Sequence, residues 1–320
     1  MNNTLNLPFY AKAALFCVGI YVFFSMMYIG GDIIVPLLFG TIVAILLHPV
    51  VTFFERHKIN RVFAIIITLL ISFILIAAFA LFMYSQISRF SDSWPLFVEK
   101  FTGLLNLAIH WAPGYFDISL DKVNELIIRL KSEMLNISSS FIGQTIVSVG
   151  NGIMVAFLIP VYVFLLLFYH SLLIDFVYKL FGVEREEKVK EIITQTKTVV
   201  QRYLIGLVIE AMLVATLDSI GLLVLGIDYA ILIGILGALL NLIPYIGGLV
   251  AVALPMMLAL ITKDSLWYVL YVMIIYMIIQ VIDNNYIVPK IVASKVRINA
   301  LVSIIVVLVG GALWGVAGMF

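Results

Sequence analysis

Three carboxylates lie inside long apolar stretches of this sequence, where a charged side chain is costly. Glu210 and Asp218 fall within the apolar run 203–225, and Asp283 falls in the run that begins at Leu266. Removing a carboxylate from water in a bilayer is expensive, so such groups normally face a wet path, find a partner or stay protonated. These side chains are therefore candidates for binding a proton or a small cation.

Glu210 and Asp218 are eight positions apart on one predicted helix. At 100° per residue, this spacing leaves them about 80° apart and about two turns apart along the helix axis. They can therefore face the same cavity. An alternative of equal weight is that each carboxylate forms hydrogen bonds with neighbouring helices or subunits, which also offsets the free-energy cost of its burial.

Amide side chains surround the third carboxylate. In the segment QVIDNNYIVPK, Gln280 and Asn284 are four residues apart and Asp283 is three from Gln280, so one helical face gathers two amides and a carboxylate. We expect Pro289 to end this helix within reach of Lys290. The cluster is either part of a polar path or a helix cap at the membrane boundary.

A broken apolar stretch, residues 229–262, lies between Asp218 and Asp283 in the chain and contains Asn241. Its halves, 229–242 and 249–262, have 14 residues each, whereas a membrane span needs roughly 20. Backbone that leaves the helix at membrane depth is tolerated where protein or water satisfies it, so the break favours a lined pathway. The hinge residues in this interpretation are Pro244, Tyr245, Gly247 and Gly248. The alternative is two tilted or partly buried helices joined by a tight turn.

Composition places these residues in an integral membrane protein. The chain has 320 residues, of which 64% are hydrophobic and 12% charged, whereas a soluble domain has roughly 25% charged residues. A net charge of +1 argues against a nucleic-acid partner, which requires a basic face or arm. The single Cys17 rules out an internal disulfide and a thiolate metal site. We expect membrane lipid as a partner, and neither a metal nor a cofactor.

Apolar runs predict an all-α, polytopic helix bundle of about seven to eight membrane segments, with a broken or re-entrant hairpin over residues 229–262. We expect Pro49 to kink or end the second span, 33–53, and the third span to cover residues 62–84. The predicted units are N-terminal membrane helices over 1–84, an extracytoplasmic amphipathic helical insertion over 85–145, a membrane helix over 146–170, a cytoplasmic amphipathic helix over 171–202 and transport-core helices over 203–320.

Basic residues predict the orientation of the chain. With the N-terminus in the cytoplasm, 13 of the 19 lysines and arginines lie in inner segments. The short basic loops, for which the positive-inside rule is reliable, agree with this orientation. The orientation is the same whether the broken stretch is a hairpin or two full spans.

Several motifs resemble the autoinducer-2 exporter (AI-2E) family of bacterial transporters. They are RYLIGLVIEAMLV at 202–214, NLIPYIGG at 241–248, QVIDNNYIVPKIVASKVRINALVSII at 280–305 and GGALWGVAGM at 310–319. The resemblance implies a multi-pass inner-membrane transporter that forms a homo-oligomer. Family members are proposed either to export a small signalling molecule or to exchange sodium or lithium for protons. Gly248 departs from the family, in which many relatives have proline, and the expected final amphipathic helix is absent, so we expect a truncated chain.

These observations predict an ion-coupled transporter that moves a small polar solute or signalling molecule out of the cell. A sodium (lithium)/proton antiporter is the alternative, and a passive channel or a structural membrane protein is the second. An enzyme is not expected, because the sequence contains neither an HExxH nor a GxSG motif. Gly311 and Gly315 permit close helix packing, including packing between subunits. The predicted path and coupling residues are Glu210, Asp218, Asn241, Gln280, Asp283 and Asn284.

Overall fold

A computed structural model describes residues 8–111, 128–129, 131–133, 157–181, 186–243, 246–263, 265–292 and 299–319. Helices account for 93% of these residues, and none of them lies in a strand. The predicted all-α class is therefore confirmed.

The described ranges consist almost entirely of helices. In chain order they are α1 (Phe9–Ile29), α2 (Gly31–Arg56), α3 (Arg61–Trp111), α4 (Phe157–Phe168), α5 (His170–Phe181), α6 (Glu186–Val224), α7 (Ala230–Asn241), α8 (Ile246–Thr262), α9 (Trp267–Ile282) and α10 (Ala300–Trp314). A π-helical segment, Asp283–Val292, continues α9, and a 3-10 turn, Gly315–Met319, follows α10. Within the described ranges, five helices are long and apolar enough to cross a membrane, and α4 with α5, bent by 67°, can form a sixth.

Helix α3 continues well past the predicted end of the third span at residue 84. It is 51 residues long and ends at Trp111. Apolar side chains of its second half pack against the core formed by α6 to α9, where Phe97 is 6% exposed, and this burial sustains the helix. The amphipathic segment predicted over residues 121–135 lies outside the described residues, apart from 128–129 and 131–133.

Neither Pro49 nor Pro289 ends its helix. The expectation for Pro289 is therefore wrong, and a kink at Pro49 stays a prediction. Helix α2 continues through Pro49 to Arg56, and Pro289 lies inside the π-helical segment. An interior proline costs about 3 kcal/mol because it removes a hydrogen bond and clashes with the preceding turn. Burial of α2 against α3 and α4 offsets this cost through the side chains Ala44, Val51, Ala64, Ile65, Val163 and Leu167.

Helix α6 joins the charged segment before Tyr203 to the apolar run after it. The helix has 39 residues, which corresponds to a length of about 58 Å. Because the hydrocarbon core is about 30 Å thick, one end of α6 extends beyond it. Both Glu210 and Asp218 lie on this single rigid element.

Helices α7 and α8 form an antiparallel hairpin, which confirms the predicted break. A Cβ on Gly247 would collide with the carbonyl of Leu240, and a Cβ on Gly237 would lie 3.6 Å from that of Ala251. Glycine at position 247 therefore permits backbone contact at the tip. Helix α7 has 12 residues, about 18 Å, which is shorter than the hydrocarbon core. Pro244 and Tyr245 lie outside the described residues.

Tyr229 fixes the base of the hairpin to α3. It has a left-handed backbone, with φ of 56°. Its hydroxyl lies 2.7 Å from Ser93 Oγ and donates to the carbonyl of Arg89 at 3.3 Å. The ring also meets the Phe90 ring edge-on at 5.3 Å between centroids. These contacts hold the hairpin against the middle of α3.

Candidate functional site

One face of α6 packs closely and antiparallel against α9 and the π-helical segment. A Cβ on Gly206 would lie 2.7 Å from the carbonyl oxygen of Ile291, and one on Gly221 would lie 2.6 Å from Cγ2 of Ile275. Glycine at both positions lets the two elements approach closely. Glu210 and Asp218 lie between the glycines on α6, at helical spacing from them.

Helix α7 closes the other side of this region. A Cβ on Gly234 would overlap Ser219 and lie 2.7 Å from its backbone nitrogen, so α7 and α6 are in backbone contact. One turn later, a Cβ on Gly237 would lie 3.5 Å from Oδ2 of Asp218. The carboxylate of Asp218 is therefore enclosed between α6 and α7.

Asp218 and Asp283 line the same small cavity between α6, α7, α8 and α9. Its volume is about 10 Å³, roughly the space that one water molecule occupies. Its polar lining residues are Asp218, Asn241, Tyr276, Gln280 and Asp283, and the others are Val214, Gly237, Gly248, Ala251, Val252 and Ile279. Within the described part of the chain, no lysine, arginine or histidine lines this cavity.

Three oxygen atoms of the cavity residues are buried without a hydrogen-bond partner in the described structure. They are Oδ1 of Asp218, Oδ1 of Asp283 and Oη of Tyr276. Asn241 Nδ2 donates to the other oxygen of Asp283 at 3.3 Å. Both aspartates are only 2% exposed. Because buried polar groups are normally paired, these three oxygens make the cavity a candidate site for a proton or a cation.

Four of the six predicted path residues meet at this cavity: Asp218, Asn241, Gln280 and Asp283. Glu210 is buried on α6, two turns before Asp218, and is not among the lining residues. Asn284 is exposed although Asp283 is buried. The α-helical register ends at Ile282, and the i→i+5 hydrogen bonds of the π-helical segment change the angular spacing that the prediction assumed.

The predicted hinge and packing glycines have different environments. Gly248 lines the cavity, and its Cβ would lie 3.6 Å from Oδ1 of Asn241. Gly311 faces the side chain of Met319 in the same chain, at 2.9 Å from its added Cβ. Gly315 ends α10 with φ of 63°, a conformation that favours glycine. A role for Gly311 and Gly315 in contacts between subunits stays a prediction.

Tyr276 is the polar cavity residue that was not predicted from the sequence. It is 4% exposed and lies on α9 four residues before Gln280 and seven before Asp283. This spacing places all three side chains on one helical face. The sequence signal that could have identified Tyr276 is this spacing, since Tyr276 lies about one helical turn before Gln280.

The donor set of the cavity suits a hard cation, since carboxylate, amide and hydroxyl oxygens are the ligands such ions prefer. Among the described residues, no three histidine, cysteine, aspartate or glutamate side chains come together as a transition-metal site requires.

Comparison with known proteins gives a consistent family match. A family model described as "AI-2E family transporter" matches residues 15–320. "Putative transport protein YrrI" of Bacillus subtilis (strain 168) is 25% identical over 319 residues, which cover 94% of this chain and 87% of the relative. "Putative transport protein YueF" of the same organism is 21% identical over 93% of this chain and 83% of its own length. "Putative transport protein YhhT" of Escherichia coli (strain K12) is 21% identical over 94% and 84%, respectively.

Proposed function

We propose that this chain, which belongs to the AI-2E family of transporters, is an ion-coupled membrane transporter that exchanges a proton for a small monovalent cation at Asp218 and Asp283. The observation that carries the proposal is that these two buried carboxylates line one cavity and each has an oxygen without a hydrogen-bond partner among the described residues.

Electrostatics supports this assignment. Two ionised carboxylates facing one cavity at membrane depth repel each other and have lost their hydration. The Asn241 amide donates a hydrogen bond to one oxygen of Asp283, but it carries no net charge and does not neutralise the carboxylate. A proton or a cation at the cavity supplies the missing positive charge, so binding one and releasing the other is the exchange that this arrangement favours.

The size of the cavity limits what it can hold in this conformation. A volume of about 10 Å³ accepts one water-sized occupant. A proton, sodium or lithium fits this limit, whereas an organic solute requires the surrounding helices to separate. Cation–proton exchange is therefore the function that the geometry supports best.

Export of a small polar solute is the second candidate. Asn241 and Gln280 present amides to the cavity, and Asn241 lies directly before the break between α7 and α8. Rearrangement of that break would widen the cavity and expose backbone hydrogen-bonding groups to a solute. In this case Asp218 and Asp283 would supply the coupling ion site.

Proton movement in proteoliposomes tests the proposal. Vesicles with a preset pH gradient and an internal pH dye receive sodium, lithium or potassium. We expect the gradient to collapse on addition of sodium or lithium, with a smaller response to potassium.

Protein-free vesicles are the control for leakage, and folded protein is verified by size-exclusion chromatography before reconstitution. Absence of any cation-dependent proton movement would contradict the exchange proposal and favour solute export. Movement of cations without protons would instead indicate a passive channel.

A further inference from the structure

Lys197 links three helices far from the carboxylate cavity. Its Nζ lies 3.2 Å from Nε2 of His48 and 3.2 Å from Nε2 of His170. His48 lies on α2, His170 begins α5 and Lys197 lies on α6. The two imidazole rings are 5.0 Å apart between centroids. We call these three side chains the His–Lys–His cluster.

The hydrogen bonds of the cluster require neutral imidazoles. An ammonium group has donors and no acceptor, so each Nε2 must accept from Lys197 with its lone pair. At His48 the opposite nitrogen, Nδ1, lies 3.4 Å from Oγ1 of Thr52. The Thr52 hydroxyl donates to the carbonyl of His48 at 2.9 Å, so Nδ1–H of His48 is the donor to Thr52. This pattern assigns the neutral Nδ1–H tautomer to His48.

The charged groups around the cluster leave little to stabilise a protonated imidazole. Arg61 from α3 and Glu55 from α2 are the other charged side chains that act electrostatically on His170. Glu55 lies 3.8 Å from Nε of Arg61 and is already engaged there. Arg61 Nη2 donates to the carbonyl of Leu167 at 2.7 Å, next to the bend between α4 and α5. The two imidazoles therefore face two cations, Lys197 and Arg61, and one carboxylate.

The position of the cluster connects it to the cavity. Lys197 lies on the same continuous helix as Glu210 and Asp218, 13 and 21 residues before them. These separations correspond to about 20 Å and about 31 Å along the axis. A contact that holds α6 to α2 and α5 therefore restrains the element that carries both carboxylates.

We propose that the His–Lys–His cluster is an acid-sensitive clasp that holds the first half of α6 against α2 and α5 while His48 and His170 are neutral. Protonation of either imidazole removes the lone pair that accepts from Lys197 and places two positive charges next to each other. Burial and the neighbouring cations Lys197 and Arg61 oppose this protonation, so the change requires a pH well below 6.5, the ordinary pKa of imidazole. Acid therefore releases α6 at the end remote from the cavity.

Hydrogen–deuterium exchange measures the clasp directly. The wild type is compared with the double variant His48→Gln/His170→Gln at pH 8 and pH 4, and exchange is followed for the amides of residues 186–200. Glutamine keeps an acceptor for Lys197 and does not titrate. We expect similar exchange at pH 8, and at pH 4 at least about fivefold faster exchange in the wild type, as the loss of hydrogen bonds to a charged group predicts.

Two further variants make the result decisive. Lys197→Met removes the donor, so its exchange should be fast at both pH values and match the wild type at pH 4. His57→Gln changes an exposed imidazole that contacts the carbonyl of Phe53, and it should behave as the wild type does. Because both proteins share the same intrinsic exchange rate at each pH, a wild-type to Lys197→Met ratio that does not change between pH 8 and pH 4 would overturn the clasp.

Discussion

At the scale of single residues, the cavity has space for one small occupant because Gly237 and Gly248 lack side chains. A Cβ on Gly237 would lie 3.5 Å from Oδ2 of Asp218, and one on Gly248 would lie 4.0 Å from Oε1 of Gln280. Both are ordinary van der Waals distances, so alanine fits without displacing its neighbours. The two glycines are therefore positions where the volume of the cavity can be changed without changing the fold.

We predict that Gly237→Ala and Gly248→Ala lower the rate of cation-dependent proton movement by at least about tenfold, because each methyl group takes up space that roughly one water fills. The melting temperature should stay the same or rise, since alanine is the better helix former by about 1 kcal/mol. Gly103→Ala is the control, because a Cβ there meets no described atom within 4 Å. Wild-type rates in both cavity variants would show that the cavity is not on the transport path.

Tyr276 allows a second test at this scale. Its hydroxyl is buried without a hydrogen-bond partner in the described structure, a condition that costs about 1–3 kcal/mol. Tyr276→Phe should therefore leave stability unchanged or raise it, while it weakens cation binding by removing an oxygen ligand. Thermal unfolding and the cation concentration at half-maximal rate give the two readouts. A lower melting temperature with unchanged cation affinity would assign the hydroxyl a structural role instead.

At the scale of helices, the approach of α6 to the π-helical segment depends on Gly206. A Cβ at this position would lie 2.9 Å from Cα of Val292 as well as close to the carbonyl of Ile291, and backbone atoms cannot move aside locally. We predict that Gly206→Ala destabilises the protein by about 1–3 kcal/mol, the usual cost of overpacking. Gly19→Ala in α1 is the control, because no atom of the described part of the chain lies within 4 Å of the added Cβ. Equal thermal stability of the two variants would contradict this packing.

Several elements could be predicted from the sequence because their signals are local. The break after Asn241 follows from proline and glycine inside an apolar run, and the structure has the antiparallel hairpin there. The sequence also predicted a path formed by this break, the polar face of α9 and the carboxylates of α6. The structure places Asp218, Asn241, Gln280 and Asp283 at one cavity. Their role in transport stays a prediction.

Other elements could not be predicted because they depend on tertiary contacts. The length of α3 depends on packing of Phe97 against α6 to α9 rather than on its own periodicity. The π-helical register after Ile282, which turns Asn284 away from the cavity, has no pattern in the sequence. The His–Lys–His cluster joins residues that are 149 positions apart in the chain. No local pattern in the sequence indicates a contact between residues so far apart in the chain.

At the scale of the whole molecule, the composition was sufficient to predict a membrane protein, and the motifs were sufficient to predict its family. A hydrophobic fraction of 64% and long apolar runs predicted a multi-pass helical protein. The family match over residues 15–320 confirmed the resemblance that the second half of the chain carries. The direction of insertion depends on the positive-inside rule, and it stays a prediction.

Thiol labelling can test this orientation. Cys17 is replaced by serine, and single cysteines are placed at Lys58, between α2 and α3, or at Lys263, after the hairpin. Because the basic loops belong inside, we predict that a membrane-impermeant maleimide labels Lys263→Cys in intact cells, and Lys58→Cys only after permeabilisation. The reverse pattern would invert the predicted topology.

The most direct measurement compares Asp218→Asn and Asp283→Asn with wild type in the proteoliposome assay. Asparagine keeps the size of each side chain but cannot exchange a proton or carry a charge. Asp228→Asn is the matched control, because Asp228 is exposed in the turn between α6 and α7. We predict that both cavity variants assemble normally and lose cation-dependent proton movement by at least about 100-fold, while the control keeps the wild-type rate. Wild-type coupling in a folded Asp218→Asn or Asp283→Asn protein would contradict the assignment of the ion site.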